Sequence, residues 1–243
     1  MEITGRNALV TGGAHRVGKA ITLALAARGA NTYIHYNRSA EPAEETAAEV
    51  EALGSSAAVG PADLGDPGIA GALLAEATAV MGPISILVNS ASGFPSDRLE
   101  DVTLEGWRRT QDLTLAGPVF LTQAFAASLP ADIEGAVVNV SDVKTLRPNR
   151  EHFSYIVAKG GIDSFTYAAA LALAPRIRVN AVALGVILPP PGRGDDYAEN
   201  LAAQVPMRRP GGTEPVAAAV VSLVENSYIT GEIVRIDGGG HLV

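Results

Sequence analysis

Short apolar runs rich in β-branched residues alternate along the chain with longer Ala- and Leu-rich stretches of helical period. The strand candidates are Asn7–Val10, Asn31–Tyr36, Ser56–Gly60, Ile84–Asn89, Ala136–Val140, Arg178–Ala183 and Glu232–Ile236. Several are apolar without alternation, the pattern of strands covered on both faces of a parallel sheet. Between them the periodicity predicts helices over Arg16–Arg28, Ala43–Leu53, Pro67–Met81, Thr103–Ser128, Phe153–Ala174 and Glu214–Glu225. Pro67 and Pro215 stand near helix starts, where a missing N–H costs little, and Asp66 and Thr213 are the expected N-caps. This β-α repetition predicts a Rossmann-type α/β fold: a doubly wound parallel sheet of about seven strands with helices on both faces. No linker or shift in composition divides residues 1–243, so one domain is expected.

Composition narrows the class. Hydrophobic residues make up 47% and charged residues 18%, enough for a sizeable core and too little charge for disorder. A net charge of −8 argues against nucleic-acid or anionic-membrane partners and leaves a small-molecule substrate. The absence of cysteine removes disulfides, thiolate chemistry and Cys-based zinc sites. His15, His35, His152 and His241 lack metal-ligand spacing, so no metal site is expected; His152, three residues before Tyr155, reads as a solvated residue at a helix start, with contact to the site as the alternative. Met1–Arg6 runs almost directly into Ala8-Leu9-Val10 without the pattern of a secretory signal, and no window reaches the ~18 uninterrupted apolar residues of a membrane span. A cytoplasmic soluble protein is the plain expectation. The Pro- and Gly-rich stretch from Leu188 to Asp196 follows a strand and precedes a helix. It reads as a loop that either connects at the surface or, within a 188–212 region, covers a substrate.

Thr11–Gly18 follows the first strand and opens a helix, the setting in which backbone N–H groups and the helix dipole can receive a pyrophosphate. Its spacing, Gly12 then Arg16 and Gly18 with Val17 between, departs from G-x-G-x-x-G, so an ordinary glycine-containing turn remains open. No acid stands at the end of the second strand to bind a ribose 2′-OH. The residues there are His35-Tyr36-Asn37-Arg38-Ser39, and an Arg among small polar donors suits the 2′-phosphate of NADPH, against the bland reading of Arg38 as a solvated charge. Tyr155 and Lys159 stand four apart on one helix face, where an ammonium can tune a phenol; a surface Tyr/Lys pair is the ordinary alternative.

With these residues in view, nearly the whole chain resembles the short-chain dehydrogenase/reductase family. The matching pieces are Thr11–Gly18, Ala62-Asp63-Leu64, Leu87-Val88-Asn89-Ser90-Ala91, Tyr155 with Lys159, Arg178-Val179-Asn180, Thr230-Gly231 and Asp237-Gly238-Gly239. The resemblance implies that Tyr155 donates a proton, that Lys159 binds nicotinamide ribose, that Asp63 and Leu64 flank adenine, and that Asn89 lines the cofactor channel. The resemblance also places Gly185 at the nicotinamide pocket. A homotetramer or dimer, built on the two long helices, is implied as well.

Departures from the family pattern are specific. Asp142, with Ser141 before it, stands where a serine is usual; Arg16 replaces a loop glycine; and the motif after the fourth strand continues as Ala91-Ser92-Gly93-Phe94. Together they resemble the pteridine reductase branch, in which an Asp accompanies Tyr and Lys and a Phe sandwiches the pterin against nicotinamide. The chemistry agrees. A carboxylate at Asp142 would repel the alkoxide of carbonyl reduction, whereas a Tyr held between Asp142 and Lys159 can protonate a ring nitrogen. Phe94 would wall a planar ring, Ser92 would offer a hydrogen bond, and Arg16 would face phosphate or pterin carbonyl. Each has a plainer reading: Phe94 as a core aromatic, Ser92 as bonded to its own backbone, and Asp142 as a turn residue with Ser141 taking the catalytic place. Thr114 replaces the family's relay Asn, and Leu184-Gly185 its Pro-Gly.

The leading expectation is an NADPH-dependent reductase of a pterin, dihydropterin or dihydrofolate-like ring, with Asp142, Tyr155 and Lys159 catalytic. The alternatives are a carbonyl reductase of the same fold, acting on a 3-oxoacyl thioester, sugar or polyketide ketone, and a nucleotide-binding sensor without turnover.

Overall fold

The computed structural model of the protein describes residues 1–189, 192 and 194–243. Seven strands form one sheet: β1 (Asn7–Thr11), β2 (Asn31–Tyr36), β3 (Ala57–Pro61), β4 (Ile84–Asn89), β5 (Gly135–Asp142), β6 (Ile177–Leu184) and β7 (Ile233–Ile236). All pairings are parallel, in the order β3-β2-β1-β4-β5-β6-β7. The helices are α1 (Arg16–Ala26), α2 (Ala40–Ala52), α3 (Ala70–Met81), α4 (Leu104–Gln111), α5 (Gly117–Ser128), α6 (Phe153–Leu173), α7 (Asp195–Ala202) and α8 (Glu214–Glu225).

Strand pleat explains why the strand sequences are apolar without alternation. Val10, Val88 and Val138 face α1 and α8 and pack with Ile21, Leu25, Val216 and Val220. Their neighbours Leu9, Leu87 and Val137 face the other way, onto Leu73, Leu74, Leu121 and Phe125 of α3 and α5. Both sets of side chains are buried, each large one contributing about 2 kcal/mol. By length and composition α6 could cross a membrane, yet Ile162, Thr166, Ala169 and Ala170 on it are buried within the fold.

The structure alters several of the predicted elements. The strand expected to stop at Val140 continues to Asp142, because its ladder with β6 goes on through Ser141↔Ala183 and Asp142↔Leu184. The helix expected over Thr103–Ser128 contains one π turn, Asp112–Ala116, between α4 and α5. Asp66 is an N-cap, its Oδ1 accepting from Gly68 N at 2.9 Å, but Thr213 has helical backbone and makes no capping bond. Within the region 188–212, α7 replaces part of the expected loop, while Pro190, Pro191 and Arg193 lie outside the described residues.

Candidate active site

Strand order reverses between β1 and β4, so their carboxyl ends diverge and leave a crevice, the place where ligands bind in open α/β sheets. The cleft there encloses about 390 Å³. Its walls include Gly12, Arg16, Val17 and Gly18 from the glycine loop, Asn37, Ala62 and Leu64 from the adjoining strand ends, and Ser90, Ala91 and Ser92 after β4.

The loop geometry depends on its glycines. Gly12 adopts φ +63°, a left-handed conformation, and a Cβ there would stand 3.2 Å from Ala91 Cα. A Cβ on Gly18 would stand 2.0 Å from the Gly12 carbonyl oxygen, so that position admits no side chain. Arg16 also has positive φ, +51°, and its guanidinium donates to Pro189 O at 2.6 Å, bridging the loop to the segment after β6. His15 precedes α1 without a side-chain cap, leaving the first-turn amides of the helix open toward the cleft. Thr11 ties this loop to the next: its Oγ accepts from Ser90 N at 2.9 Å and Ala91 N at 3.0 Å.

At the far end of the cleft, Asn37 Nδ2 donates to Asp63 Oδ1 at 3.3 Å, and Leu64 is buried beneath them. Arg38 is exposed, outside the cleft wall, and makes no ion pair among the described residues. Ser39 precedes α2 without a capping bond.

The predicted Tyr, Lys and Asp do converge. Tyr155 Oη donates to Asp142 Oδ2 at 2.9 Å, and Lys144 N donates to Asp142 Oδ1 at 2.8 Å. Lys159 Nζ donates to Val140 O at 2.6 Å and lies 5.6 Å from the Tyr155 ring centroid. Tyr155 and Lys159 are 7% and 3% exposed, which leaves their polar atoms little water. Burial, then the charge and hydrogen bond of Asp142, push the Tyr155 phenol well above its ordinary pKa. Burial raises Asp142 despite the bonds it accepts, and burial lowers Lys159 to about 8 against the pull of Asp142 and Asp163. Adjacent strand residues face opposite ways, so Ser141 points elsewhere: its hydroxyl donates to Asp163 Oδ1 at 2.5 Å. The reading in which Ser141 takes the place of Asp142 is therefore corrected.

Two further expectations change in kind. The Asn89 side chain turns into the interior, donating to Asn139 Oδ1 at 2.8 Å and Thr122 Oγ at 3.2 Å, so only its backbone is left to face a cofactor. Gly185 is a close-packing position, since a Cβ there would stand 2.6 Å from Asp237 Cα. Thr114 lies buried in the π turn with its hydroxyl 3.4 Å from Ser92 Oγ; such turns often mark functional sites.

Four residues make contacts here that the sequence reading did not assign to them. His152, expected in solvent, stacks on Phe94 with centroids 3.8 Å apart, and its Nδ1 bonds Pro95 O at 2.6 Å. Lys144 Nζ lies 4.9 Å from the Phe94 centroid, and the Phe94 ring meets Tyr155 edge-on at 4.8 Å. Asp97 caps α6, accepting from Ser154 N at 3.1 Å and from the Ser154 hydroxyl, and so aims the helix that carries Tyr155. His35 is the fourth: Gly12 N donates to its Nδ1 at 3.2 Å. The position of Lys144, two residues after Asp142, was a usable signal; the other three contacts are long-range and leave no pattern in sequence.

Comparison with known proteins agrees with this geometry. A family model described as enoyl-(acyl carrier protein) reductase matches residues 12–241. A solved structure of FolM alternative dihydrofolate reductase 1 from Brucella canis, complexed with NADP, superposes with a TM-score of 0.95. It is 37% identical, covering 100% of this chain and 96% of that one. A protein assigned as ketoacyl reductase 2 of the granaticin polyketide synthase of Streptomyces violaceoruber is 35% identical over 97% of this chain and 96% of its own length. The 3-oxoacyl-(acyl-carrier-protein) reductase of a Synechocystis strain is 32% identical over 98% and 97%. Fold, loop, Tyr/Lys pair and whole-length similarity lead to one assignment: the chain belongs to the short-chain dehydrogenase/reductase family of oxidoreductases.

Proposed function

We propose that this chain is an NADPH-dependent reductase of a pterin or dihydropterin-like heterocycle, dihydrofolate included. The observation that carries the reading is the buried bond from Tyr155 Oη to Asp142 Oδ2 at 2.9 Å, a carboxylate where carbonyl reduction calls for a hydroxyl. The FolM structure from Brucella canis, complexed with NADP, supports both substrate class and cofactor.

The residues present fit NADPH. The uncapped amides at the start of α1 suit the pyrophosphate, and Arg38, exposed and unpaired among the described residues, suits the 2′-phosphate. Lys159 is buried and, among the described residues, donates to Val140 O alone, so two of its three N–H groups remain for ribose hydroxyls. When bound, NADPH supplies the hydride.

Tyr155 then has the proton to give. Its raised pKa keeps the phenol protonated at neutral pH, and turning its O–H about the Cζ–Oη bond, away from Asp142 Oδ2, delivers the proton to a ring nitrogen. Lys159 opposes the negative charge left on the phenol. Asp142, with its own pKa raised by burial, is the adjacent group that can take up a proton from solvent and pass it back to Tyr155 Oη. Phe94, backed by His152, supplies the flat apolar wall, and Lys144 places a cation beside it.

The test is NADPH consumption with dihydrobiopterin and dihydrofolate beside a simple ketone and an acetoacetyl thioester. Turnover of the pterins is expected; turnover of the carbonyl compounds alone would overturn the reading. The second reading, a 3-oxoacyl or polyketide ketone reductase, draws its support from the two reductase relatives named above.

A pH profile gives an independent check. Lys159 is lowered to about 8, so its charge is present below that pH and leaves as pH rises through it. The expected kcat/KM for NADPH is level toward neutral pH and falls on a basic limb near 8. A profile that stays level two units higher would remove the Lys159 charge from the mechanism.

A further inference from the structure

We infer that His35 is a positioning residue for the cofactor: its neutral imidazole sets the orientation of the glycine loop and joins it to the adenine end of the cleft. The inference rests on the cofactor reading above. His35 is the penultimate residue of β2, which lies between β1 and β3, and its register partners are Thr11 and Gly60. From that central place the ring spans both walls. Nδ1 accepts from Gly12 N at 3.2 Å, and Nε2 bonds Ala62 O at 3.0 Å.

These two partners specify the protonation state. A backbone N–H needs a lone pair on Nδ1, and a carbonyl needs a proton on Nε2, so only the neutral Nε2–H tautomer satisfies both. The imidazolium would set N–H against N–H at Gly12. The ring is 2% exposed, so no solvent water substitutes for either partner. Asp63, beyond Ala62, is the carboxylate acting on the ring, and burial outweighs it, holding the imidazole toward its neutral form.

The consequence concerns peptide planes. The ring orients the 11–12 peptide through Gly12 N–H, while the His35 carbonyl orients the 12–13 peptide by accepting from Gly13 N at 3.1 Å. Any residue supplies the carbonyl bond; only a side chain with an acceptor at this point supplies the other. With both amides consumed, neither Gly12 nor Gly13 presents an N–H to a phosphate. Reception falls to the open first turn of α1, whose approach these two planes set. Gly12 still lines the cleft, so any contact it makes with the cofactor comes from atoms other than its N–H.

Three proteins test this: wild type, His35→Phe, which keeps a ring and removes both polar contacts, and His35→Asn, whose Oδ1 can accept from Gly12 N. The readouts are NADPH affinity by fluorescence titration, and KM and kcat with whichever substrate is turned over. His35→Phe is expected to weaken NADPH binding and raise its KM about tenfold, the loss of roughly one hydrogen bond, with kcat at saturation within about twofold of wild type. His35→Asn is expected to recover most of that loss. Unchanged affinity in His35→Phe, or loss of kcat in step with KM and no recovery by Asn, would overturn the assignment. Should His35→Phe fail to fold, 15N NMR of wild type decides. A coupling between Gly12 N and His35 Nδ1 is expected, and a protonated Nδ1 would refute the tie. If wild type itself binds no NADPH, it is the cofactor reading that fails, while the NMR result still stands or falls alone.

Discussion

Replacing Tyr155 by Phe is expected to lower kcat about 10³-fold, within the range that a positioned general acid contributes, while NADPH affinity stays within about twofold. The expectation follows from the site. Oη is the hydroxyl bonded to Asp142, and the ring itself packs against Phe94 and near Lys159, so Phe retains the shape and loses the proton. Asp142 keeps its bond from Lys144 N, which limits the structural cost to about 1 kcal/mol for one lost hydrogen bond. Single-turnover NADPH oxidation beside a denaturation curve separates the two effects. A kcat within tenfold of wild type would mean that the proton comes from another group.

The second large effect is expected at Asp142. Asp142→Ser should lower turnover of dihydropterin about 10²-fold and leave turnover of a simple ketone unchanged or improved. A carboxylate about 4 Å from a developing oxyanion opposes it by about 4 kcal/mol at an effective dielectric of 20, and serine removes that opposition. Serine also removes the charge that, with burial, keeps the Tyr155 proton in place. Asp142→Asn separates charge from size: it should lose pterin turnover as the serine variant does. Comparison of kcat/KM for dihydrobiopterin and the ketone in the three proteins is the measurement. Pterin turnover that survives both substitutions would make Asp142 a turn residue and return weight to the ketone reading.

Much of this was legible from residue order because the relevant forces are local or periodic. Apolar strands covered on both faces, glycines after the first strand, and Tyr155 four residues before Lys159 all leave patterns along the chain. What escaped involves partners far apart in sequence. His35 entered the sequence reading as the start of the 2′-phosphate stretch and as one of the scattered histidines, yet the parallel register of β1, β2 and β3 brings it between Gly12 and Ala62. Asp97 caps a helix that begins 56 residues later, a pairing no spacing rule encodes.

The sequence by itself determined the element order, the doubly wound sheet and the residue types of the site, since hydrophobic period and turn chemistry act within a few residues. Only the tertiary structure decided which way those residues face. Ser141 and Asp142 are neighbours in every sequence reading. The ladder extending through both positions places one against Asp163 and the other against Tyr155, because strand pleat sends successive side chains to opposite sides.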